Sequence, residues 1–136
     1  MVGIDTFVIL AFFLCFFSGL FDGIAETLKF HPFGFFHVFR KASKNFWDNN
    51  ISWKNKYKNN DPAQGEKFFL STGALVSLTD GYHLTRLLRN QFIIFAILVM
   101  PTLPLWYMYV VAYILCYLAY TVGFALMYDH ILGFKG

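Results

Sequence analysis

Asp80 and His83 stand three residues apart in the stretch STGALVSLTDGYHLTRLLRN (71–90), which begins like a membrane segment of small and apolar side chains. On a helix, residues three apart are surface neighbours, so this carboxylate and imidazole can act together. Two chemistries need such a pair. An Asp-x-x-His face gives a divalent metal such as zinc two ligands, which other residues must complete. A carboxylate that orients an imidazole also makes a catalytic base, suited to hydrolysis or proton relay. A third role needs no chemistry: the pair clasps a neighbouring helix, the commoner fate of such residues. In a membrane core an ionisable group costs about 2.5 kcal/mol or more and is retained only with a partner. Further metal-ligand candidates are His130 in YDHILG, and Glu26 and His31 in ETLKFH.

Composition says what must position these residues. Of the 136 residues, 57% are hydrophobic and only 14% charged, with 18 Phe, 8 Tyr and 3 Trp. A soluble domain needs about a quarter of its residues charged, so an all-α integral membrane protein of one domain is predicted. The N-terminal segment MVGIDTF is acidic where a signal peptide is basic, and no small-x-small cleavage site follows, so it reads as a retained helix. Cys15 and Cys116 each lie in an apolar run and read as packing residues. No glycine-rich phosphate loop and no zinc-finger spacing is present.

Four helices are expected: 4–29, 67–88, 91–103 and 105–128. The apolar stretch 91–128 is too long for one crossing, and Pro101 and Pro104 break it into a hairpin. Ser18, Gly19 and Gly23 in the first helix, and Ala119 and Gly123 in the last, form small-residue faces that let helices approach closely. In the second helix, Gly73, Ser77 and Gly81 would do the same, turning Asp80 into the bundle. Tyr109, Tyr113, Tyr117 and Tyr120 form a stripe read as interhelical packing, and Trp106 and Tyr107 read as interface anchors. Eight of the eleven Lys and Arg lie from Lys29 to Lys67, in and flanking the connection between the first two helices, which makes 30–66 a cytoplasmic loop with both termini outside. Arg86 and Arg89, at the far end of the expected second helix, run against that orientation. The same four spans place His83 and His130 at the outer end, and Glu26 and His31 at the cytoplasmic one.

The loop is basic and aromatic. HPFGFFHVFRKASKNFW suggests a short cationic amphipathic helix in the headgroup layer. SWKNKYKNNDP then interleaves Trp53 and Tyr57 with Lys54, Lys56 and Lys58 before an Asp-Pro turn signal. These five residues form a candidate site for anionic lipid headgroups or a membrane protein partner. Single-stranded nucleic-acid binders share that composition, but positive-inside topology alone accounts for the lysines, and nucleic acid is not the expected ligand.

ETLKFH, FWDNNISWKNKYKNNDP, FFLSTGALVSLTDGYHL and GFALMYDHIL together resemble a group of small bacterial multi-span membrane proteins. The resemblance covers most of the chain. It implies a multi-span fold with polar motifs at Glu26, His31, Trp53, Lys56, Tyr57, Asp80, His83 and His130, and it carries no activity with it. The leading expectation is a lipid- or protein-interacting component of the cytoplasmic (inner) membrane. The alternative is a metal-dependent or His-based membrane hydrolase for lipid-like substrates, with Asp80 and His83 as the catalytic pair. A transporter or channel component is third, and would require a homo-oligomer.

Overall fold

A computed structural model of the chain describes residues 4–133. Its helices are α1 (Ile4–Phe30), α2 (Pro32–Val38), α3 (Lys44–Trp47), α4 (Asn49–Ser52), α5 (Gly81–Val99) and α6 (Trp106–Ala125), the last continued by a π-helical turn over Leu126–Ile131. Among the described residues there is no strand, only an isolated bridge between Tyr57 and Glu66. Prolines set the long boundaries. Pro32 forces His31 out of the helical region and ends α1, and Pro101 does the same to Met100 at the end of α5. The expected hairpin at Pro101 and Pro104 is present, and Leu103 N–H donates to the Tyr109 hydroxyl (2.9 Å) across it.

α1 is the centre of the bundle, and α5 and α6 pack on it from two sides. Gly19 lies against Tyr120 and Phe124, and Gly23 against Phe124, Met127 and Tyr128, so α1 and α6 run parallel. Phe92 stacks on Phe17 and Phe21, whereas Gly81 meets Trp47 beyond the C-terminal end of α1, so α5 runs antiparallel. The close approach expected at Gly19, Gly23 and Gly123 is realised. A Cβ on Gly123 would stand 2.2 Å from the Phe16 carbonyl oxygen, and one on Gly19 2.0 Å from that of Tyr120.

The bundle is small inside and large outside. Ala11, Ser18, Ala25, Ala96, Ala112 and Ala119 are buried, while Ile97, Leu98 and Tyr113 are about 70% exposed (69%, 71% and 70%). Water-soluble bundles do the reverse, and helices packed in lipid show this pattern. α1 and α6 are each long and apolar enough to cross a membrane.

The sequence suggested four long helices, and the described residues contain three. The expected helix over 67–88 begins only at Gly81, and merges with the expected third helix. Residues 67–80 form turns and one 3-10 turn, Val76–Leu78. Nearby side chains take its backbone groups. Glu66 accepts from the Leu70 and Thr72 amides (3.2 and 3.3 Å), and Ser71 Oγ accepts from Lys67 N–H while donating to the Lys56 carbonyl (3.1 and 2.7 Å). Such bonds compete directly with a helix. The face imagined for Gly73, Ser77 and Asp80 therefore does not exist.

The connection between α1 and α5 folds into a cap on one end of the bundle. Its core is Leu28, Phe35 and Leu132, with Trp47 and Met127 packed against them. The amphipathic helix expected after His31 is shorter than predicted: α2 stops at Val38, and Phe39 leaves the helical region (φ −99°, ψ 61°). The cap and the adjoining turns of α1 and α5 hold ten of the eleven Lys and Arg, from Lys29 to Arg89, and Lys135 lies outside the described residues.

Candidate functional site

Asp80 is the N-cap of α5. The carboxylate is fully buried and accepts from the His83 amide (2.9 Å) and from the Thr79 hydroxyl (3.2 Å). His83 Nδ1 meets both carboxylate oxygens, at 2.9 and 2.8 Å. A carboxylate there can only accept, so Nδ1 carries the proton and Nε2 is left for another partner. The imidazole, one third exposed (33%), is thus oriented by the acid that starts its helix. The local sequence explains this. Thr79-Asp80-Gly81 before an apolar run is a helix-start signal, and Gly81 leaves room for the Trp47 ring, which a Cβ would meet at 2.2 Å.

Chemically, the dyad is an oriented imidazole. Metal binding would need a third ligand. Among the described residues no three His, Cys, Asp or Glu side chains are grouped to hold an ion. Glu26, His31, Asp80, His83 and His130 all fall at the cap end of the long helices, not at the two depths expected. Sharing an end does not make them a cluster. His31 sits at the α1–α2 junction, where its ring packs on Tyr128 (5.8 Å). Glu26 is half-buried on α1, and His130 is exposed in the π-helical turn.

The cap residues do come together. Lys58 N–H donates to Gly65 O (3.0 Å) and Lys67 N–H to Lys56 O (2.9 Å), closing 56–67 into a compact loop. Lys54 lies over the Trp53 ring (5.6 Å), Lys56 over Tyr57 (5.5 Å), and the two rings meet edge to face. Asn55 ties this loop to α5's entrance by donating to the carbonyl oxygens of Asn45 (2.6 Å) and Thr79 (3.0 Å). The Thr72 hydroxyl, then the Thr72 and Leu70 amides, hold the Glu66 carboxyl below its ordinary value of 4.5. The cap also exposes large apolar groups, above all Phe69 (80%), Leu78 (62%) and Phe33 (58%).

A second polar site was not anticipated. Asp22 of α1 accepts from Arg89 of α5 (2.7 Å) and from the Tyr120 hydroxyl of α6, so one carboxylate joins all three long helices. Ser18 Oγ adds a bond to the Arg89 carbonyl (3.0 Å). Opposite charges inside two apolar helices were the available signal. It was lost because the expected second helix put Arg89 at the wrong end. Tyr113 and Tyr117 also depart from expectation. They stack on each other (6.4 Å) along an open cleft and do not pack between helices.

No known protein family, curated protein or solved structure matches the chain.

Proposed function

We propose that this is a three-span protein of the cytoplasmic membrane whose basic, aromatic cap lies on the inner surface and engages anionic lipid headgroups. The carrying observation is the gathering of all ten described Lys and Arg at one end of the bundle. The positive-inside rule puts that end in the cytoplasm. Arg86 and Arg89 now agree with it, because α5 starts at the cap. The crossing number follows from direction: α1 and α6 are parallel, so the chain between them must return, and α5 is the segment that does. The N-terminus then lies outside, and the C-terminus lies inside with the cap.

Phe33, Phe69 and Leu78 on the cap suit immersion at the interface, where apolar groups enter the acyl boundary and lysines stay at the phosphates. Each lysine near an anionic surface is worth about 1 kcal/mol. Lys54, Lys56 and Lys58 together contribute about 3 kcal/mol, enough to hold the loop down.

The test uses the full chain, with Cys15 and Cys116 replaced by Ser and one cysteine placed at Asn59 or Thr102. In intact cells an impermeant maleimide should label position 102 and reach position 59 only after permeabilisation. Labelling of both from outside overturns the crossing scheme, and the reverse pattern overturns the orientation. In proteoliposomes, an environment-sensitive dye at position 59 should shift to the blue with phosphatidylglycerol. Changing Lys54, Lys56 and Lys58 to Gln, or raising salt to about 1 M, where the Debye length is about 3 Å, should abolish the shift. A shift indifferent to lipid charge and salt overturns headgroup engagement.

A further inference from the structure

α5 and α6 pack on α1 rather than on each other, and the space between them is open. It forms a cavity of about 700 Å³, walled by Ile93 and Ile97 on α5, by Met100 just past its end and by Tyr113 and Tyr117 on α6, with Cys15 on the floor. On the three-span reading this cleft faces the hydrocarbon, so it holds lipid or protein and not water. The charges at its cap end decide between them.

Polarity changes along the cleft. Tyr120 marks the end of the apolar part nearest the cap, with its hydroxyl on the Asp22–Arg89 pair. Beyond it the same faces turn charged. Arg86 precedes Ile93 by seven residues and so lies within about 20° of it on α5, and Glu26 follows Cys15 by eleven, again within about 20°. Arg86 meets only the hydroxyl and ring of Tyr82, and Glu26 forms no ion pair or side-chain hydrogen bond among the described residues. A cation and an anion thus lie on the faces that continue the apolar slot toward its headgroup end, and neither is in an ion pair among the described residues.

We propose that this cleft binds a phospholipid with an amine-bearing zwitterionic headgroup. The acyl chain lies between Ile97 and Tyr113, the phosphate is on the Arg86 guanidinium, and the ammonium is on the Glu26 carboxylate. Arg offers the fork of donors that phosphate geometry matches. Asp22 and Arg89 neutralise each other and set the depth of the glycerol boundary. The proposal rests on the membrane reading above, but the residues are distinct from the cap lysines, so the two fail separately.

The test is native mass spectrometry of the full chain in detergent after equilibration with equal amounts of phosphatidylethanolamine, phosphatidylglycerol and diacylglycerol of one chain length. Phosphatidylethanolamine should be retained at least tenfold over the other two. Glu26→Gln should erase its advantage over phosphatidylglycerol, and Arg86→Gln its advantage over diacylglycerol. Ile97→Trp, on an exposed wall where folding is not at stake, should cut retention of all three about tenfold. The Gln triple at Lys54, Lys56 and Lys58 should leave retention of phosphatidylethanolamine unchanged. Equal retention of the three lipids, or indifference to Ile97→Trp, overturns the proposal. Efficient disulfide cross-linking between copies through a cysteine at Tyr113 overturns it in favour of a second chain as the occupant.

Discussion

Asp22→Asn should be among the most damaging single substitutions in the bundle, because it strands Arg89. The Asp22 and Arg89 side chains are 14% and 22% exposed, and the ion pair is 2.7 Å long. Removing one partner of a buried pair costs about 3–5 kcal/mol. Partial exposure, and the bonds Arg89 retains to Asn90 (3.1 and 3.0 Å), place this case near the lower end. About 3 kcal/mol is expected, roughly a 150-fold change in the folding constant. Tyr120→Phe removes one hydrogen bond to a charged group and should cost about 1.5 kcal/mol. The double variant Asp22→Leu, Arg89→Leu leaves no stranded charge and should cost no more than about 1 kcal/mol. The assay is equilibrium unfolding in mixed micelles, read as a double-mutant cycle. A coupling of about 2 kcal/mol or more is expected between Asp22 and Arg89. Strict additivity, or an Asp22→Asn protein within about 0.5 kcal/mol of wild type, would show that the pair does not hold the helices together.

Gly123→Ala puts a methyl 2.2 Å from the Phe16 carbonyl and should cost about 2 kcal/mol by forcing α1 and α6 apart, whereas Gly73→Ala, with only one atom near at 4.0 Å, should be neutral in the same unfolding assay. Asp80→Ala should lower stability in detergent by about 1–2 kcal/mol through loss of the cap, with Asp80→Asn milder and His83→Ala near 1 kcal/mol. An unchanged melting point in all three would refute the capping role. Glu66 contributes structure that is present above its unfolded value near 4.5 and is lost as pH falls through its lower folded value. Amide exchange at Leu70 and Thr72 should therefore accelerate, relative to intrinsic rates, on acidification below the ordinary carboxylate value of 4.5, and Thr72→Val should narrow the difference between neutral and acidic pH.

What was legible in the sequence was local. The apolar run of α1, the proline hairpin and the small-residue faces at Gly19, Gly23 and Gly123 each depend on neighbours within a few positions, and each is present. The cap was not legible, because its determinants are distant in sequence: Ser71 bonds to Lys56, Asn55 to Thr79, and Trp47 fills the space over Gly81. The stretch from Phe68 to Leu78 is apolar enough to pass for a span, and only those contacts reveal it as a folded turn region. Thr79-Asp80-Gly81 did carry a start signal. It was overridden by hydropathy, which cannot tell an apolar turn region from a helix.

Moving that one helix start from 67 to 81 changes everything that depends on counting crossings. On the three-span reading one span disappears, the end of α6 passes to the cap side, and Arg86 and Arg89 move from the outer end to the basic end. The depth conflict among Glu26, His31, Asp80, His83 and His130 dissolves as well, since α1 ends, α5 begins and α6 ends on the same side. A shared end, however, is a topological fact, and a shared site is a geometric one. Asp80 and His83 spend their contacts on each other and on the start of α5, and His31 packs on Tyr128. Arg86 and Glu26, by contrast, lie on the faces that continue an apolar cleft. On the lipid reading proposed above, the seam between α5 and α6 is where one headgroup would meet both charges, and the acid–imidazole motif would serve the start of α5.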